Sequence, residues 1–212
     1  MVAWQNLWMR ENLIEERREQ FFNDALKLAA QHGAAGLVTV SDATKGLATG
    51  QAKTPEMDVL IMTLERFDLA LGQDVGMVIA ARPSGGRTDE DKFLVQCAEA
   101  ITAGTSYVTF KKMATTVVTM PSANSRLLQL ADLVASITTA VVAGHKEFAG
   151  KLFPTIRPML RTYKGSVGGI GLKIHPDFSY ANLYHWLLGD KNFRNSPLPI
   201  ANRPFHANED NY

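Results

Sequence analysis

Three short runs rich in apolar and β-branched residues, Gly36–Ser41, Gly76–Ala81 and Thr116–Met120, alternate with segments of helical periodicity. A helix between two strands returns the chain to the end of the sheet where the first strand began, so the strands pair in parallel. The expected fold class is therefore a layered α/β domain. With 212 residues, 46% of them hydrophobic, the chain is long enough for one sizeable core. Residues 1–190 read as a single α/β domain and 191–212 as an extended tail rich in Pro and Asn.

The helices announce themselves at their ends. From Asn12 onward Ile14, Phe21, Ala25 and Leu28 recur at helical spacing with Glu15, Glu16, Arg17 and Arg18 outside them, predicting one long amphipathic helix that closes near Gly33. Thr54-Pro55-Glu56 reads as an N-cap, a proline at the first helical position and an acid in the first turn, opening a helix to Leu71. Thr88, with Asp91 three residues on, is the expected cap of a helix to about Ala103, and Pro121 to Asn124 a turn before a helix from Arg126 to Ala143. Lys164 to Gly171 has the glycines of a phosphate cradle without the helix start and Lys-Ser or Lys-Thr pair, so it reads as a turn into a strand.

Charge excludes some partners. Lys plus Arg number 22 against 21 Asp plus Glu, so no overall field drives the chain onto nucleic acid or anionic lipid. A local patch of Arg82, Arg87, Lys111 and Lys112 is the candidate for phosphate contacts, with an ordinary solvated surface as the alternative. The one cysteine, Cys97, excludes an intrachain disulfide and reads as a small buried residue. Residues 6–31 form a charged helix rather than a secretory leader, and Leu127 to Ala143 is too short and too polar for a membrane span, so a cytoplasmic location is expected.

The helix after Arg126 carries the main candidate for chemistry. Leu128, Ala131, Ala135, Thr138 and Val142 form the stripe expected to pack on the sheet, while Gln129, Asp132 and Ser136 share a second stripe. Asp132 is the one ionisable residue between Leu127 and Val142. A carboxylate on so apolar a helix is solvated, paired with an Arg or with loop amides, or bound to a cation. Among weaker candidates, Asp42 ends the first strand, as a turn residue or as an acid facing a cleft. Asp89, Glu90 and Asp91 suit a helix start through dipole complementarity, and His175 and His185 are too far apart for a helical metal pair.

The stretch Ser125-Arg126-Leu127-Leu128-Gln129-Leu130-Ala131-Asp132-Leu133-Val134-Ala135 resembles the signature helix of the family catalogued as domain of unknown function 3800. Leu64-Glu65-Arg66-Phe67, Gly76–Ala81 and the loop before Ser125 are similar to that family in order and spacing, over about Glu15 to Pro176. The resemblance implies a ribonuclease H-like three-layer fold, with a mixed central sheet and helices on both faces. It also implies a metal-dependent nuclease, a hydrolase holding Mg2+ or Mn2+ on clustered acids, in which Asp132 is the metal ligand and Gln129 its companion. Two departures follow. The family's first strand, with its Asp-Glu-Ser-Gly type motif, is expected before the first long helix, and residues 1–12 hold nothing like it. The strands at Leu37 and Val78 are then left with edges to be filled by another chain, a swapped copy or a rearranged sheet. The second is Ala80-Ala81-Arg82 where the family pattern has an aspartate, with Ala81 at the position of the lost acid. Two functions stay open: a nuclease incomplete or inactive as written, acting on DNA or RNA, and a non-catalytic α/β interaction subunit completed by a partner strand or a second copy.

Overall fold

A computed structural model describes residues 15–49, 52–145, 147–176 and 180–189. The expected tail at 191–212 and the strand sought before residue 12 lie outside the described residues. The order of elements is α1 (Glu15–Gln31), β1 (Val38–Ser41), α2 (Pro55–Leu71), β2 (Ile79–Ala81), α3 (Arg87–Ala103), β3 (Val118–Met120), α4 (Arg126–Val142), α5 (Ala149–Ile156), β4 (Leu172–His175) and α6 (Ala181–Leu188). Helices and parallel strands alternate as expected, but among the described residues the strands form two separate pairs, β1 with β4 and β2 with β3, both parallel. No described helix is long and apolar enough to cross a membrane. The chain divides into two compact units, Met1–Lys45 with Leu130–Tyr212, and Gly46–Gln129.

In the first unit β1 and β4 run level from Val38 beside Leu172 to Ser41 beside His175. Leu26 of α1, Ile137 and Val141 of α4, Ile156 of α5, Leu172 of β4 and Leu183 of α6 meet in one core. The inward stripe of α1 is Phe22 and Leu26 with Ala29, not the expected Phe21, Ala25 and Leu28; Phe21 and Leu28 are 49% and 57% exposed. Adjacent residues point about 100° apart around a helix. With two apolar stripes side by side, the choice is made by α5 and the residue before it: Phe22 meets the Phe148 ring edge-on, and Thr155 Oγ1 donates to Asn23 Oδ1 at 2.6 Å. In α4 the correction is partial: Thr138 and Val142 are buried as expected, but they are joined by Val134, Ile137 and Val141, while Ala131 and Ala135 are exposed.

The outer edge of β4 is closed. Gly169 N–H donates to Leu172 O and Leu172 N–H to Val167 O, so the glycine turn covers one residue of that edge. The buried Tyr184 hydroxyl covers the next, accepting from Ile174 N–H at 2.7 Å and donating to Ile174 O at 3.2 Å. A polar side chain thus does for an edge strand what a neighbouring strand would do.

In the second unit α2 begins as expected, Thr54 Oγ1 accepting from Met57 N–H at 3.3 Å with Pro55 at the first helical position. The start of α3 differs: Thr88 lies inside the first turn, because Gly86, with φ of 85°, turns the chain straight into the helix without a side-chain cap. Leu64 of α2, Cys97 of α3 and Val117 form a core against Val78 and Ala80, which covers one face of the β2–β3 pair. Gly76 lets the strand approach this closely, since a Cβ there would stand 2.6 Å from Phe67 Cζ.

Candidate functional site

The expected site residues are distributed over both units. Asp42 and Asp132 belong to the first, and Gln129, Ala81, Arg82, Arg87 and Lys111 to the second. Asp132 is exposed on α4, one turn before Ser136, whose hydroxyl donates to Asp132 Oδ1 at 3.4 Å. Two of the three polar residues of that stripe therefore meet. Gln129 turns instead to the preceding 3-10 turn (Ser122–Asn124), its amide donating to Ser122 O at 3.2 Å and Ala123 O at 3.4 Å. That bond ties the turn to the helix start and uses the amide's donor capacity.

Asp42 sits at the end of β1 with both carboxylate oxygens engaged. Oδ1 accepts from Thr44 N–H at 3.0 Å and from Thr44 Oγ1 at 2.6 Å, and Oδ2 from the Tyr180 hydroxyl. Burial works to raise its pKa, but the bonds from Thr44 and Tyr180 and the charge of Lys45 outweigh that and hold it below the usual carboxylate range. This is an Asx turn locked by a tyrosine.

The basic residues lie at opposite ends of β2. Lys112 O accepts from Gly76 N–H at the strand's start, and the Lys112 ammonium is 3.5 Å from Asp68, with exposed Lys111 beside it. Arg82 and Arg87 stand at the other end, about 20 Å of extended chain away. There Arg82 Nε lies 3.0 Å from Glu90 Oε2, and Thr119 Oγ1 donates to Glu90 Oε1. The Thr119 bond, opposed by burial and supported by Arg82 and Arg87, lowers the Glu90 pKa. Glu90, assigned from its position to the helix dipole, is thus also the centre of a network joining α3 to both strands.

Sequence reasoning passed over the buried acids of α2, Asp58, Glu65 and Asp68. Their spacing of seven and three residues was a readable sign of one helix face. Asp58 is fully buried and grips a loop, accepting from Ala48 N–H at 2.8 Å and from Thr49 N–H and Thr49 Oγ1 at 2.7 Å each. Cys97 is buried, and burial pushes its thiol up to about 11, which makes it a poor nucleophile.

Among the described residues no three of His, Cys, Asp or Glu come together as a metal cluster. One exposed carboxylate with a hydroxyl neighbour, and a second whose two oxygens are engaged by Thr44 and Tyr180, do not make the donor set that two cations require. Nor does either of two surface depressions gather groups from several elements. One of 130 Å³ is lined by Glu16, Glu19, Gln20 and Asn23 of α1, and one of 460 Å³ by Val95, Ala98, Glu99, Thr102 and Ala103 of α3.

What the second unit does present is an open strand. Val118 N–H donates to Val78 O and Arg82 N–H to Met120 O, both at 3.0 Å, so the even-numbered residues of β2 face β3. The N–H and C=O groups of Met77, Ile79 and Ala81 point the other way, and no described residue bonds to them. The side chains there are exposed, Met77 by 54% and Ile79 by 42%, as is Ala81. No family model matches the chain, and no curated protein or solved structure matches it either.

Proposed function

We propose that this chain is an α/β interaction subunit of ribonuclease H-like kind, which works by presenting β2 to a strand of another chain rather than by holding a metal centre of its own. The observation that supports this is the open edge of β2. Natural sheets blunt such edges with lysine, proline, bulges or a covering element. β2 is three residues long, and a short strand is itself one such device, but from Val75 to Ala81 the edge carries no lysine or proline, only Val, Gly, Met, Ile and Ala. An added strand would gain main-chain hydrogen bonds for affinity and alternate side-chain contacts for selectivity.

The second reading, a nuclease using magnesium or manganese on DNA or RNA, is favoured by the exposed Asp132 beside Ser136 and by the family resemblance. One experiment separates the two. Ala81→Asp is introduced, and manganese binding and cleavage of single- and double-stranded DNA and RNA are measured, with Asp132→Ala in the same background. The interaction reading expects no saturable binding and no cleavage. Manganese-dependent cleavage that Asp132→Ala abolishes would replace it with the nuclease.

A further inference from the structure

We infer that the strand which completes β2 is β2 of a second copy, antiparallel about a two-fold axis through Ile79, so that two pairs of strands join as one sheet of four. This rests on the interaction reading above and names its partner. The edge is self-complementary in three respects. In that register Ile79 faces Ile79 and Met77 faces Ala81, a long side chain against a short one, and all three residues have free edge groups. Residues that exchange both bonds across an antiparallel pair give about six hydrogen bonds over this stretch. Second, the register ends where it should, because Val75 comes opposite Pro83, which has no N–H to donate.

Third, the charges agree. Exposed Asp74 precedes the strand and Arg82, which is paired with Glu90, follows it, so the antiparallel arrangement brings the acidic start of each copy's strand towards the basic end of the other's. A parallel arrangement would stack like charges at both ends. Val118, opposite Ile79 and 43% exposed, lies beside it on the bare face of β2. The outer side of β3 is less suited, since it is carried by the buried Val117 and the half-buried Thr119, whose hydroxyl is bound to Glu90. Isologous pairing of this kind is closed about the two-fold, using the β2 edge of both copies.

The test is sedimentation of the full chain across a concentration series, with variants Ile79→Lys and Asp74→Lys and with Phe21→Lys as a control on a different exposed apolar residue. The wild type is expected to form a discrete dimer, retained in Phe21→Lys. Ile79→Lys is expected to be monomeric with an unchanged circular dichroism spectrum. Asp74→Lys lies outside the strand and tests the register without touching its packing; two attractions become repulsions, weakening the dimer about tenfold, and less at high salt. A monomeric wild type, open-ended aggregates without a dimer, or a dimer indifferent to both β2 variants would overturn the self-pairing. Those results leave open strand addition by another chain, which fails separately if the β2 edge amides are already protected in the dilute protein.

Discussion

Ile79 and Val118 stand opposite each other in the parallel β2–β3 ladder, and both side chains face solvent on the side away from Leu64 and Cys97. Parallel strands normally lie in sheets covered on both faces. Here the described residues cover one face, and they treat the strand edges unequally: β4 has a tyrosine hydroxyl and a glycine turn against its outer edge, whereas among the described residues β2 has bare backbone flanked by apolar side chains.

That difference makes Tyr184 a direct test of how an edge is closed. Tyr184→Phe keeps the packing of the ring and removes both bonds to Ile174, leaving a buried N–H and C=O unsatisfied. We expect a loss of about 1–3 kcal/mol in urea unfolding followed by circular dichroism. An unchanged midpoint would mean that water reaches Ile174 and that the hydroxyl is not what covers this edge.

Asp58 gives a second stability prediction. Its carboxylate accepts three hydrogen bonds from Ala48 and Thr49 in full burial. Asp58→Ala strips the loop of these acceptors and should cost about 3 kcal/mol, with Asp58→Asn, which keeps one oxygen, costing less. Equal losses in the two variants would show that shape, and not the acceptors, is what matters there.

The acid side of the pH profile follows from Asp42 and Glu90. Both carboxyls titrate below their ordinary values in the folded chain, so their contribution is fully present above those values. It is lost as pH falls below about 4, through the lowered folded values. Thr119→Val removes the leading cause of the Glu90 shift, and its melting temperature should fall less steeply than the wild type's between pH 5 and pH 3. Parallel profiles would show that the Thr119 bond does not favour the charged carboxylate.

Local signals were the most legible part of the sequence. Thr54-Pro55 fixed the start of α2, and Arg126 to Ala143 bounded α4 within a residue of its end, because caps and turns act on neighbouring backbone. The buried stripes of α1 and α4 were not legible. Phe21 and Phe22 are equally apolar, α4 is apolar almost all round, and only the elements packed against them select a face. The pairing of β1 with β4 spans more than a hundred residues and has no local trace. Of the site, the meeting of Asp132 with Ser136 followed from helical spacing, while the ties of Gln129 to Ser122 and of Asp42 to Tyr180 are made by loops and distant segments that spacing does not describe.

Amide hydrogen exchange, resolved by residue, tests the open edge most directly. In dilute protein Ala80 and Arg82, which face β3, should be protected while Met77, Ile79 and Ala81 exchange at nearly unprotected rates, and protection of those three should rise with concentration as copies pair. Slow exchange at Met77, Ile79 and Ala81 in the dilute chain would mean that the edge is already covered, and would contradict the account at its centre.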